Sequence, residues 1–105
     1  MKYLLSTVLF FMVIGTKAQS IIYSAANAHS HNDYEQQRPF YMAYNEQFGS
    51  MEADIYLVKG KLLVAHEPKQ LDSTKTIESL YLQPLTAYRN GDRKLQLLID
   101  IKTQG

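Results

Sequence analysis

The sequence predicts an α/β fold, and three observations carry that expectation. Strand-like and helix-like apolar periods follow one another in the order strand, helix, strand, strand, helix, strand. Lys59-Gly60 separates two strand-like runs at hairpin spacing. Leu95-Gln-Leu-Leu-Ile-Asp-Ile101 is a nearly continuous apolar run, as in a parallel strand covered by helices on both faces.

Each element has a local reason. Ala25 to Ser30 is small and weakly patterned, and reads as a short first strand. Asn32-Asp33 is turn chemistry. Pro39 suits the first turn of a helix, Phe40, Ala43, Tyr44 and Phe48 follow at helical spacing, and Gly49 stands where a helix stop belongs. Ser50 to Val58 reads as a strand, with Lys61 to Ala65 pairing back on it. Glu67 to Lys75 is polar and loop-like. Thr76 can cap a helix carrying Ile77, Leu80, Tyr81 and Leu85, which breaks or restarts at Pro84. Asn90-Gly91-Asp92 is a turn before the final strand. A strand so apolar and so near Gly105 calls for more chain to cover it, so a fragment of a larger domain is expected.

The first 18 residues stand apart. Lys2, an apolar run to Ile14 and small residues at Thr16 and Ala18 form a secretory signal peptide, with cleavage after Ala18. The run is short of the ~20 residues that span a bilayer, so no membrane anchor remains after cleavage. No cysteine is present to carry a lipid or a disulfide. A secreted or periplasmic location is expected. Lys2 and Lys17 leave with the leader, so a formal charge of +1 becomes −1. A near-neutral chain speaks against a nucleic-acid partner held through phosphates. The mature domain is expected over residues 19 to 105.

Three segments carry the chemistry: His29-Ser-His-Asn-Asp-Tyr34, Ser50-Met-Glu-Ala-Asp-Ile-Tyr56 and Leu63-Val-Ala-His-Glu67. Glu52 and Asp54 are two apart and share one strand face. They repel each other unless a cation or proton lies between them. Hard oxygen ligands favour Mg²⁺ or Ca²⁺. The same alternation also fits the outward polar face of a hairpin. Asp100, inside its apolar run, is either one half of a structural ion pair with Lys102 or a third metal ligand beside a phosphate-directed lysine. His66 sits at the C-terminal end of a strand-like run, where parallel α/β folds place catalytic groups, and is equally read as an exposed loop histidine. His29 and His31 form a His-x-His pair, which also suits zinc, although carboxylate partners suit harder cations. Tyr34, Tyr56 and Tyr81 read as core or rim. Two imidazoles around a carboxylate-bound cation make an acid/base engine for splitting a phosphodiester.

The order His-x-His-Asn-Asp-Tyr, Glu-x-Asp, Val-Ala-His and Ile-Asp-Ile-Lys resembles the glycerophosphodiester phosphodiesterases. More broadly it resembles the phosphatidylinositol-specific phospholipase C-like phosphodiesterases. Within these it looks most like the branch described through the fungal altered-inheritance-of-mitochondria protein six, where His-Ser-His-Asn-Asp-Tyr and a segment like Ser79-Leu-Tyr-Leu-Gln-Pro-Leu85 recur. The resemblance implies a TIM-type (β/α)8 barrel, of which this chain is the N-terminal half, with its site at the C-terminal ends of the strands. It places the catalytic histidines at His31 and His66, and the metal ligands at Glu52, Asp54 and Asp100. His29, Asn32 and Lys102 then face substrate, or His29 and His31 exchange roles. Departures from the pattern are Asn32-Asp33 for the usual Arg-Gly, Pro39-Phe-Tyr-Met42 for Pro-Glu-Asn-Thr, and His66-Glu67 for His-Asp. The missing arginine would normally contact phosphate.

The expected function is therefore an exported, metal-dependent phosphodiesterase acting on a small glycerophosphodiester or a phospholipid head group. The fragment alone is expected to be inactive. The alternative is a non-catalytic barrel of the same family that binds a phosphorylated or lipid-head ligand. A third reading is a carboxylate-rich calcium-binding module complete in 105 residues.

Overall fold

A computed structural model describes residues 18–20, 22–88 and 91–103; the signal peptide expected over residues 1–18 falls almost wholly outside them. The chain forms a small mixed α/β domain around one open, four-stranded sheet. Strands β1 (His29–Ser30), β2 (Ser50–Val58), β3 (Lys61–Val64) and β4 (Gln96–Ile101) alternate with two five-residue helices, α1 (Tyr41–Asn45) and α2 (Gln83–Ala87). Among the described residues no helix is long and apolar enough to cross a membrane.

β2 is the centre of the sheet. β1 runs parallel to it with His29 beside Ser50, and β4 runs parallel to it from Ser50–Gln96 to Ile55–Ile101. β3 returns antiparallel, from Val58–Lys61 to Ile55–Val64. Ser50 pairs with both β1 and β4, and Ile55 with both β3 and β4, so β1 and β3 share one edge of β2 and β4 takes the other. β1 covers the start of that shared edge and β3 its end. Just past β3 the Ala65 N–H donates to the Asp54 carbonyl (3.2 Å), so the stretch left uncovered between the two strands lies beside Glu52 and Ala53.

The hairpin turn is as expected: Lys59 (φ 49°) and Gly60 (φ 76°) both adopt positive φ, which matches the twist of the paired strands. The helical segments differ in detail. Ser79 N–H donates to Thr76 Oγ1 (3.1 Å), so Thr76 does cap the next turn. Glu78–Leu82 then winds wide, and Pro84, which lacks an N–H, sits in the first turn of a restarted helix. Ala25–Asn27 forms a tight turn rather than strand, because Asn27 closes it locally on Ser24, leaving β1 only two residues.

Gly49 is a correction. The left-handed residue after α1 is Gln47 (φ 65°), so Gly49 does not stop the helix. It is small for a different reason: a Cβ there would lie 1.9 Å from the Ala26 carbonyl oxygen. Close backbone approach at the start of β2, rather than turn geometry, requires glycine.

The expectation of two-sided burial for the last strand is also corrected. Leu98, Ile99 and Ile101 of β4 are 47%, 41% and 69% exposed. It is β2 that is buried on both faces: Met51, Ala53 and Ile55 point into the core, and Asp54 on the opposite face is 1% exposed. A strand with neighbours on both edges is covered, whereas β4 has a neighbour on one edge only among the described residues. The core under β2 is built from Phe40, Ala43, Tyr44, Val64, Ile77 and Tyr81, with Leu97 packed against it.

Candidate metal centre

The polar face of β2 carries the centre. Its two-residue repeat sets Glu52 and Asp54 on the face opposite Met51, Ala53 and Ile55. The β2–β4 register sets Asp100 directly beside Asp54. One oxygen from each of Glu52, Asp54 and Asp100 lies within 4.8 Å of the others. Asp100 is not deep, contrary to its apolar surroundings in sequence, for its side chain is 46% exposed. The deep acid is Asp54.

The two oxygens of Asp54 differ sharply. Oδ2 accepts a hydrogen bond from the Tyr34 hydroxyl (2.7 Å), lies 3.2 Å from His66 Nδ1 and 3.5 Å from Lys102 Nζ. Oδ1 is buried with no partner among the described residues. A buried acceptor left bare costs about 1–3 kcal/mol, and more when charged. An orphaned carboxylate oxygen between two further carboxylates fits a hard divalent cation, which would be held by Glu52, Asp54 and Asp100. Lys102 Nζ stands 2.6 Å from Asp100 Oδ2. That hydrogen bond, reinforced by the charges of Asp54 and Asp100 and opposed by partial desolvation, raises the ammonium above the usual lysine range.

The histidines enter from two directions. β1 delivers His29 and His31 along one edge of β2, while β3, running the other way, ends at Val64 and delivers His66 two residues on. They converge on the uncovered stretch. His29 Nδ1 contacts Ser50 Oγ at 2.6 Å, and its Nε2 is 3.6 Å from Glu52 Oε2. His31 Nε2 lies 3.4 Å from the same Glu52 oxygen and its side chain is 74% exposed, so it faces solvent and any arriving ligand. Asn32, in the left-handed region (φ 48°), also aims its backbone N–H at Glu52 Oε2 (3.4 Å). All eight residues singled out from sequence therefore border one face: His29, His31, Asn32, Glu52, Asp54, His66, Asp100 and Lys102.

Two neighbours were not singled out. Tyr34, a core or rim residue by its sequence pattern, touches Asp54 through its hydroxyl, which also lies 3.3 Å from both His66 Nδ1 and Asn32 Oδ1. Burial first, and then the bond to Asp54, hold this phenol well above its ordinary pKa, so it remains a donor. The chain has eight tyrosines, and nothing local marks this one. Asp33, read as turn chemistry, is fully buried and accepts from Ser30 Oγ (2.6 Å), Phe40 N–H (2.7 Å) and Tyr81 hydroxyl (2.7 Å). Its anchoring fixes the loop that follows His31.

Comparison with known proteins bears on this arrangement. Residues 18–105 match the family model described as the AIM6-like phosphodiesterase domain. The altered inheritance of mitochondria protein 6 homolog of Arthroderma benhamiae is 41% identical over 63 residues, covering 54% of this chain and 20% of that protein. Altered inheritance of mitochondria protein 6 of Kluyveromyces lactis is 30% identical over 112 aligned positions, covering 74% of this chain and 27% of that one. The Lachancea thermotolerans protein of the same name is 40% identical over 65 residues, covering 59% and 15%. The matched stretches thus span about a quarter or less of these relatives. No solved structure matches the chain. The family match covers most of the chain, which therefore belongs to the AIM6-like branch of the phospholipase C-like phosphodiesterase superfamily.

Proposed function

We propose that this chain carries the catalytic half of an exported, metal-dependent phosphodiesterase. One observation supports it above the others: a bare, buried carboxylate oxygen lies within a three-carboxylate cluster that histidines flank from both sides. Mg²⁺ or Ca²⁺ held by Glu52, Asp54 and Asp100 would screen the negative phosphoryl oxygens. His31 takes the proton from the attacking hydroxyl, which belongs to water or to the substrate itself. A new P–O bond forms, the bond to the leaving alkoxide breaks, and His66 protonates that alkoxide. Each such proton transfer contributes roughly 10²–10⁴-fold. His29, Asn32 and Lys102 line the approach to this face. The substrate is a small glycerophosphodiester or a phospholipid head group.

The parallel trio β1, β2 and β4 supports a (β/α)8 barrel in the whole protein, with β3 as an antiparallel addition to it. The leader supports export to a secreted or periplasmic location.

A second reading is favoured by a specific observation. Asn32-Asp33 stands where an arginine would normally contact phosphate, and Asp33 is consumed in the core. A non-catalytic barrel that binds a phosphorylated or lipid-head ligand would tolerate that loss. Assay of the intact protein on a panel of phosphodiesters separates the two. Turnover that is abolished by chelation and by His66→Ala supports the enzyme; binding without turnover supports the second reading. Full activity after chelation would remove the metal from the proposal.

A further inference from the structure

Tyr34 is the group that joins the two halves of the centre, and its placement follows from the residue before it. Asp33 pins the chain into the core through three buried hydrogen bonds. Phe40 is held in a tight turn with φ 68°, its neighbour Tyr41 donating to the Pro39 carbonyl (2.8 Å). This is a strained three-residue turn, which persists only where its surroundings enforce it. With the loop fixed at both ends, Tyr34 reaches across to Asp54 on β2 and His66 beyond β3.

Its one proton goes to Asp54 Oδ2, the nearest acceptor at 2.7 Å. His66 Nδ1 then faces two oxygens, Asp54 Oδ2 at 3.2 Å and the phenol oxygen at 3.3 Å. With its proton spent on Asp54, the phenol presents a lone pair to His66 just as the carboxylate does, so a bare Nδ1 would be repelled by both while an N–H is shared between them. Removing the phenol takes away one of these two acceptors and weakens the preference. The arrangement thus puts the ring proton on Nδ1 and leaves Nε2 to face the reaction. It also loads every protein donor around Asp54 onto Oδ2 and leaves Oδ1 bare.

We infer that Tyr34 is a positioning residue, which orients Asp54 so that Oδ1 meets the cation and holds His66 in the Nδ1–H tautomer. This rests on the phosphodiesterase reading for its purpose, although its geometry stands without it. Partners of metal ligands commonly alter affinity by about 10–100-fold when removed.

The test uses the intact protein and Tyr34→Phe, which keeps the ring. Nitrogen-15 NMR of His66, recorded without divalent ions, reads the tautomer; calorimetry with MgCl₂ and CaCl₂ reads the ion. The wild type is expected to hold His66 as Nδ1–H. In Tyr34→Phe the Nε2–H share rises and ion affinity falls about tenfold, with the unfolding midpoint little changed. A wild-type His66 in the Nε2–H form overturns the inference without any variant. So does a variant with the wild-type tautomer and affinity. Because the tautomer is read without metal, it decides the role even if no ion binds. A wild type inactive on every phosphodiester, yet showing the Tyr34-dependent tautomer, supports this inference and defeats the functional reading alone.

Discussion

Replacing Asp33 by alanine is the sharpest test of how the centre is held. The carboxyl has no exposed surface, and three donors end on it: Ser30 Oγ at 2.6 Å, Phe40 N–H at 2.7 Å and Tyr81 hydroxyl at 2.7 Å. Tyr81 itself is fully buried, and the Phe40 N–H is fixed by its turn, so neither can turn to water. Each stranded donor costs about 1–3 kcal/mol, which gives roughly 2–6 kcal/mol for the two that remain once Ser30 relaxes. That is a large part of the roughly 5–15 kcal/mol typical of a folded domain. Two comparisons isolate the cause. Tyr81→Phe removes one donor and leaves the acceptor satisfied, so about 1 kcal/mol is expected. Asp33→Asn can accept from Phe40 and Tyr81 through its carbonyl while its amide faces the Ser30 hydroxyl, and a similar small cost is expected. Urea unfolding of the intact protein measures all three, and Asp33→Ala should also blunt whatever His31 and Tyr34 do, since both lie on the loop it anchors. A loss below about 1 kcal/mol for Asp33→Ala, no larger than for Tyr81→Phe, would refute the three-donor account.

Three further outcomes follow from the same geometry. Gly49→Ala should lower the unfolding midpoint, at a cost of about 1–3 kcal/mol, because its Cβ would meet backbone rather than a movable side chain; a midpoint equal to wild type would show that the turn holding Ala26 can shift freely. A divalent ion at about 100 times its dissociation constant should stabilise the wild type by about 2.7 kcal/mol in a thermal melt, and Asp54→Asn should erase that shift. Burial, and secondarily the bond to Asp33, raise the Tyr81 phenol above its ordinary range. The unfolded chain therefore loses this proton first. The associated stability is whole below pH 10 and falls above it, by about 1.4 kcal/mol per pH unit for one phenol, and Tyr81→Phe should flatten that alkaline limb.

The elements and the chemistry of the centre were open to inspection in the sequence because both rest on short periods. A two-residue repeat puts Glu52 and Asp54 on one face whatever the rest of the chain does, and Lys59-Gly60 can hardly do other than turn. Asp100 and Lys102 share a face for the same reason, and they do pair. Register is another matter. That Asp100 stands beside Asp54, rather than two residues away, is set by which β4 residue meets which β2 residue, a long-range choice with no local mark.

Burial departs from the sequence pattern where local hydrophobicity and sheet position part company. The most apolar strand, β4, has its outer edge and much of its surface open among the described residues, while the polar-looking β2 is the buried one. Gly49 looked like a helix stop because that is what glycine after an apolar helix usually signals; the contact that demands it comes from Ala26, far back in the chain. The roles of Asp33 and Tyr34 leave no local mark for the same reason. Their partners lie up to 48 residues away, at Tyr81.

The sequence by itself determined which residue types carry this protein's chemistry and which strand faces they occupy, since side-chain alternation along a strand is a local property of the backbone. Only the tertiary structure decided that the two histidine-bearing strands share one edge of β2, that they leave a gap there, and that a tyrosine closes the space between them. Those are relations between segments brought together by packing and hydrogen-bond register, and no stretch of chain encodes them alone.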